Sequence, residues 1–148
     1  MTGFVPLAPD HAPAAAALWE EAGLVRPWND PRGDFLRAVQ GGTSAVLGLL
    51  DGGELVATAM VGADGHRGWV YYVAVAASRQ GTGLGRAAME AAEAWLREAG
   101  APKVQLMVRS TNEKVLGFYE RLGYADQSTS VLGKFLDPEL EALRRRGA

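Results

Sequence analysis

Residues 78–86 place three glycines, Gly81, Gly83 and Gly85, at alternate positions directly ahead of an amphipathic helical pattern. Glycine reaches positive φ without steric cost and lets a ligand approach the backbone closely. The first amides of a helix have no partner within it, and the helix dipole adds positive potential there, so a turn of this kind is an anion cradle. One glycine would mark only a tight turn; three in alternation favour a bound phosphate. A nucleotide-hydrolysing P-loop requires Gly-Lys-Ser/Thr at the helix start, where this chain has Gly85-Arg86-Ala87. A dinucleotide-binding unit requires an acid closing the next strand for the ribose hydroxyls, and residues 103–109 contain none. The turn also follows several antiparallel-looking strands instead of opening a β-α-β repeat. Both nucleotide readings fail.

The elements that position this turn can be read from patterning and punctuation. A short strand is expected over residues 2–7, then a helix over 14–22 that stops at Gly23. Residues 26–31 form a loop, because Pro27 and Pro31 push their predecessors out of helical geometry. A helix over 32–40 follows, with Phe35, Leu36 and Val39 at helical spacing. Strands over 45–50 and 54–61 are joined by Asp51-Gly52-Gly53, the strongest hairpin signal in the chain. A turn over 62–68 leads to a strand over 69–76. The helix after the glycine turn spans 84–99, with Leu84, Ala88, Ala91, Trp95 and Leu96 on one face and Gly100 as its stop. A strand over 103–108 precedes a helix over 112–122, capped by Asn112 and ended by Gly123. A final strand or hairpin is expected over 125–135, and a short charged helix over 137–146. The resulting order, β-α-α-β-β-β-α-β-α-β, predicts an α/β (α+β) fold: a mixed, mostly antiparallel sheet of six to seven strands with helices on both faces. One domain over residues 1–148 is expected.

The pattern Gln80-x-x-Gly83-x-Gly85 resembles the pyrophosphate turn of the GCN5-related N-acetyltransferases (GNAT superfamily). Val73-Ala74-Val75 is similar to the family's central strand. Val108-Arg109-Ser110-Thr111-Asn112 and Tyr119-Glu120-Arg121-Leu122-Gly123-Tyr124 are similar to its V-R-x-x-N…Y-E-x-L-G-F/Y block. The resemblance covers nearly the whole chain, and residues 26–31 and 64–68 further resemble the YpeA-like bacterial branch. It implies an acyl-CoA N-acyltransferase that moves an acetyl group from acetyl-CoA to a primary amine. By the same resemblance, Gln80, Gly81, Thr82, Gly83, Leu84, Gly85 and Arg86 hold the pyrophosphate. Val73, Ala74 and Val75 face the pantetheine and acetyl carbonyl, Asn112 touches the cofactor arm, and Tyr119 protonates the departing thiolate. Asn112 is equally compatible with a plain helix cap, and Tyr119 with a core aromatic on its helix stripe.

The base is less legible. Relatives that acetylate peptide N-termini often carry Glu two residues before the Arg of that block, and here the position is Met107. An α-amine needs about 1 kcal/mol to lose its proton at neutral pH, whereas a lysine needs about 4.6 kcal/mol. A water chain or another residue must then remove it; Asp64, His66 and Glu54 are the candidates, His66 having the suitable intrinsic pKa. A lone histidine in a turn is otherwise a solvated surface residue. Trp28, Trp69, Tyr71 and Tyr72 are candidate acceptor-pocket residues; strand alternation sends Tyr71 and Tyr72 to opposite sheet faces. Arg79, Arg86 and Lys114 are candidate phosphate partners.

Composition narrows the alternatives. The chain has 148 residues, 48% hydrophobic and 22% charged, with a net charge of −2, so no global positive field draws it to nucleic acid or to an anionic membrane. Arg144-Arg145-Arg146 reads as a polar tail. No cysteine is available for an acetyl-enzyme, and two histidines, His11 and His66, are too few and too distant for a typical zinc site, so no metal is expected. Met1-Thr2-Gly3-Phe4 lacks the features of a secretory signal, and a cytoplasmic protein is expected. The expected partner is a small-molecule, peptide or protein amine, with a homodimer also compatible. A non-catalytic acyl-CoA-binding or regulatory module of the same fold is the competing reading.

Overall fold

The computed structural model describes residues 3–147. The chain divides into two compact units, Met1–Leu106 and Met107–Ala148. The first carries the sheet. Its strands are β1 (Phe4–Pro6), β2 (Ser44–Asp51), β3 (Glu54–Ala63), β4 (Gly68–Val75) and β5 (Val104–Gln105), in spatial order β1-β2-β3-β4-β5. All neighbours are antiparallel except β4 and β5, which are parallel and joined through helix α3 (Leu84–Glu98). Helices α1 (Ala12–Glu21) and α2 (Pro31–Gln40) connect β1 to β2. Thr2, the first residue of the expected strand, lies outside the described residues.

Punctuation places the elements much as anticipated. Gly52 and Gly53 have φ of 60° and 85°, the pair of positive values that a two-residue turn matching the strand twist demands. Asp30 caps α2 by accepting from the Gly33 amide at 3.1 Å, with Pro31 at the first helical position. α3 closes with the Gly100 amide on the Arg97 carbonyl and the Ala101 amide on the Leu96 carbonyl. One sheet face is covered by α1 and α2: Ala15, Leu18, Trp19, Phe35, Val46, Val56 and Ala74 form a single buried cluster there. α3 packs on β3 and β4 with Ala88, Met89, Ala92 and Leu96 buried, a stripe one residue off the expected Ala91 and Trp95, which are half-buried.

Two expectations are corrected. The sheet has five strands among the described residues, not six or seven, and residues 125–135 form no strand. There the Asp126 carboxylate accepts from the Ser128 amide at 2.8 Å, Ser128 has φ of 53°, and the Gln127 side chain donates to the Ala125 carbonyl. Such local bonds give the backbone partners that compete with a ladder. Val131, Leu132 and Leu136 are 69, 93 and 91% exposed, so no apolar face forms to hold a strand in place. β5 is also shorter than its expected span: it pairs with β4 only at Gly68 and Trp69. The ladder stops ahead of a bulge in β4, where a strand bends away from a straight neighbour.

The second unit contains α4 (Glu113–Arg121) and α5 (Pro138–Gly147). α4 is capped by Asn112, whose side chain accepts from the Val115 amide at 3.3 Å. It ends with the Gly123 amide on the Glu120 carbonyl, Gly123 having φ of 95°. No helix among the described residues is long and apolar enough to cross a membrane.

Candidate active site

The glycine turn sits between the end of β4 and the start of α3. Gly81 and Gly83 have φ of 76° and 84°, whereas Gly85 is the second residue of the helix and needs no such freedom. A Cβ at Gly81 or Gly83 would meet nothing within 4 Å, so their outer side is open to a ligand. No side chain caps α3 and no acid lies in its first turn. The first ladder bond is the Ala87 amide on the Gly83 carbonyl, leaving the amides of Leu84, Gly85 and Arg86 ahead of it. The result is an uncompensated positive helix terminus, suited to an anion.

Side chains hold the turn in place. Gln80 donates through Nε2 to the Val75 carbonyl at 2.9 Å, fastening the turn to the last residue of β4. The Thr82 hydroxyl donates to the Arg79 carbonyl. Arg79 pairs with Asp51 at 2.7 Å, so this cation is directed at the β2–β3 hairpin. The Ala77 amide donates to Glu21 Oε1 at 3.2 Å. Arg86 remains exposed.

The middle of β4 holds a feature that the pattern of residues did not reveal. Thr58 pairs with Ala74 and Met60 with Tyr71, so Tyr72 and Val73 together face Ala59 across the ladder. Tyr72 has φ of 51°, a left-handed value that a bulky residue seldom adopts. This is a β-bulge, and it overturns the expected alternation. Tyr71 lies opposite Met60, which packs on the α1–α2 cluster, and Tyr72 stacks on Trp19 of α1 at 3.9 Å and 10°. Both tyrosines therefore share one face, because the extra residue resets the parity.

The bulge is tied down from that face. The Thr58 hydroxyl donates to the Tyr72 carbonyl at 2.9 Å and accepts from Trp19 Nε1 at 2.9 Å. Thr58 is fully buried. The Tyr72 hydroxyl donates to Asp34 Oδ2 at 2.8 Å, and Asp34 Oδ1 pairs with Arg37 at 2.6 Å. Burial, together with the Asp34 carboxylate, pushes the Tyr72 phenol well above its ordinary range. A buried threonine between Ala57 and Ala59 in an otherwise apolar strand was the available clue.

The base candidates are not brought together. Glu54 opens β3, while Asp64 and His66 follow its far end, about 30 Å away along a ten-residue strand. His66 is exposed; its amide donates to Asp64 Oδ1 at 2.8 Å, and the Arg67 amide does so at 2.7 Å. Those backbone bonds hold the Asp64 carboxyl below its usual value. His66 precedes β4, and the glycine turn follows the other end of that strand. Trp69 and Tyr71 stack at 6.4 Å, and Tyr71 is 41% exposed. Trp28 is half-buried in the loop before α2.

In the second unit, Tyr119 lies on α4, its ring edge-on to Phe118 at 4.9 Å and to Tyr124 at 5.8 Å. Burial raises its phenol pKa, which keeps the proton on the oxygen at neutral pH. Met107 and Lys114 are exposed. Among the described residues no group of three or more His, Cys, Asp or Glu could hold a metal ion.

A family model described as "Acetyltransferase (GNAT) family" matches residues 12–124. The chain belongs to the GNAT acetyltransferase family. Solved structures with this GNAT fold include the ribosomal-protein-S18-alanine N-acetyltransferase from Escherichia coli, 28% identical, covering 83% of this chain and 77% of that one at a TM-score of 0.71. A Bacillus halodurans protein, solved as a tetramutant, is 24% identical over 90% of this chain and 100% of its own, with a TM-score of 0.70. An aminoglycoside N-acetyltransferase solved in complex with CoA is 12% identical over 90% and 94%, with a TM-score of 0.77; at that identity the likeness concerns the fold.

Proposed function

We propose that this GNAT chain is an acyl-CoA N-acyltransferase that moves the acetyl group of acetyl-CoA onto a primary amine in one ternary complex. The observation that carries the reading is the uncapped, acid-free N-terminus of α3 behind Gly81 and Gly83, set directly after a bulged β4 in a member of this family. The amides of residues 81–86 hold the pyrophosphate, with Gln80 keeping the turn against β4. Val73, Ala74 and Val75 run along the pantetheine arm, and the amide at the bulge faces the acetyl carbonyl. Asn112 keeps its cap on Val115 while its remaining polar atoms meet the cofactor arm.

In the transfer step the neutral amine attacks the acetyl carbonyl, the carbon–sulfur bond breaks, and the new amide sheds one proton. The departing thiolate takes a proton from the Tyr119 hydroxyl, and the proton shed by the new amide returns through water to the Tyr119 phenolate, restoring it. The chain has no cysteine, so no acetyl-cysteine intermediate arises. Water removes the ammonium proton of the acceptor. His66 is the alternative base, and its place at the opposite end of β4 from the glycine turn favours water. Both compact units serve this one function as a single domain: the family match runs across their boundary at Leu106.

The acceptor is an amine of a small molecule, peptide or protein. The Escherichia coli relative acts on the alanine of a ribosomal protein, by its name, and other relatives are named for aminoglycosides. Release of free thiol from acetyl-CoA across a panel of α-amines, lysines and aminoglycosides tests the proposal. Binding of acetyl-CoA with no release above background would leave the chain as a binding module only. Tyr119→Phe should lower kcat about a hundredfold while the Kd for CoA stays within twofold; equal turnover would remove its acid role.

A further inference from the structure

We propose that Trp19, Thr58, Tyr72 and Asp34 form a positioning relay that aims the bulge amide of Val73 at the acyl carbonyl. The inference rests on the acyl-transfer reading above and adds residues that touch neither cofactor nor amine. A trans peptide holds its N–H opposite its C=O. The Thr58 hydroxyl anchors the Tyr72 carbonyl at 2.9 Å, and this fixes the direction of the Val73 N–H, which belongs to the same peptide.

The anchor is itself fixed. The Thr58 oxygen accepts from the Trp19 indole, which turns the hydroxyl proton away from the ring, and that proton is donated to the Tyr72 carbonyl. Trp19 is fully buried and stacked on the Tyr72 ring, and the far end of that ring is bonded to Asp34. Asp34 is held in turn by Arg37 on the next turn of α2. The single residue with left-handed backbone in β4 is thus fastened through its carbonyl, its ring face and its hydroxyl, by three different elements: β3, α1 and α2. Packing alone would need the stacking contact; it would not need a buried hydroxyl aimed at the carbonyl of the bulge. A preorganised donor of this kind lowers the barrier because it is already oriented where negative charge develops on the carbonyl oxygen.

The experiment compares the unaltered protein with Thr58→Val, which keeps the shape and removes the hydroxyl, and with Thr58→Ser, which restores it. The readouts are kcat and KM for acetyl-CoA, melting temperature, and the infrared carbonyl stretch of bound carbonyl-labelled acetyl-CoA. Thr58→Val should lower kcat about tenfold with KM unchanged, and should move the bound carbonyl stretch toward its value in free acetyl-CoA. Thr58→Ser should return both to within about twofold of the unaltered protein. A lower melting temperature in Thr58→Val with kcat per folded molecule and carbonyl stretch unchanged would overturn the relay. Should Thr58→Val fail to fold, Tyr72→Phe gives the same two readouts: it keeps the ring on Trp19 and removes only the bond to Asp34. An unchanged kcat and stretch in that variant also overturns the relay. Absence of thiol release by the unaltered protein with every amine is a different outcome, and it removes the acyl-transfer reading together with the relay.

Discussion

At Tyr72 the backbone occupies a region that costs on the order of 1–3 kcal/mol for a residue with a bulky side chain. Four contacts compensate for it: the carbonyl on Thr58, the ring on Trp19, the hydroxyl on Asp34, and burial against the α1–α2 cluster. The phenol has a linkage consequence. Its pKa lies above the ordinary value of 10.0 in the folded state, so the folded protein keeps this proton after the unfolded chain has lost it. The associated stability is fully present below about pH 10 and is lost as pH rises beyond it. Melting temperatures recorded from pH 8 to 12 should fall along an alkaline limb, and Tyr72→Phe should flatten that limb. A limb of the same slope in both proteins would place the alkaline loss elsewhere.

Among the elements, the turn into α3 is the most exacting. Gly83→Ala would put a side chain on a left-handed residue at the N-cap, where strain acts although no clash exists. Denaturant unfolding should show a loss of about 1–2 kcal/mol, and calorimetry should show weaker CoA binding. Most elements were legible in the sequence for reasons of this type. Asp51-Gly52-Gly53 marked a hairpin because only glycine takes both positive φ values without strain, and Gly100 and Gly123 marked the stops of α3 and α4. The turn at residues 80–86 was legible as a glycine turn opening a helix; that it cradles a phosphate belongs to the proposed function. The bulge was not, because a tyrosine rather than a glycine carries its positive φ, and alternation counts one residue per ladder position. The strand expected over 125–135 failed for the opposite reason: its apolar residues have the right types, but polar neighbours satisfy the backbone locally. The separation of Glu54 from His66 was already implicit in the strand expected over 54–61, which places one at its start and the other beyond its end.

For the molecule as a whole, the sheet separates two kinds of core. The α1–α2 face contains the polar chain from Trp19 to Arg37, whereas α3 meets the sheet through apolar and small side chains such as Ala88, Met89, Ala92 and Leu96. Packing beneath α3 should therefore be separable from the orientation of the bulge. Leu96 is fully buried, and Leu96→Ala should cost about 2–5 kcal/mol in chemical denaturation. kcat per folded molecule should stay near that of the unaltered protein, because the contacts at Tyr72 lie on the other face. A kcat loss as large as that of Tyr119→Phe would show that the two faces are coupled. With a net charge of −2, the molecule has no long-range field for an anionic cofactor, so under the proposed function affinity would rest on the few amides and side chains at the turn.

The bulge also changes what a deletion would do. Losing one residue from an ordinary strand shifts its frame and turns every later side chain to the wrong face. β4 already contains that extra residue, and the pairs on either side of it, Met60 with Tyr71 and Thr58 with Ala74, are each in register. Removing Tyr72 would leave Val73 alone opposite Ala59 in a continuous ladder, with Tyr71, Ala74 and Ala76 still on their present faces. A Tyr72 deletion should fold with a cooperative transition at a lower temperature, since the stack on Trp19 is lost, and still bind CoA through the glycine turn, yet release no thiol. The strand keeps one residue more than its own hydrogen bonding requires, and that surplus is what a length variant would erase.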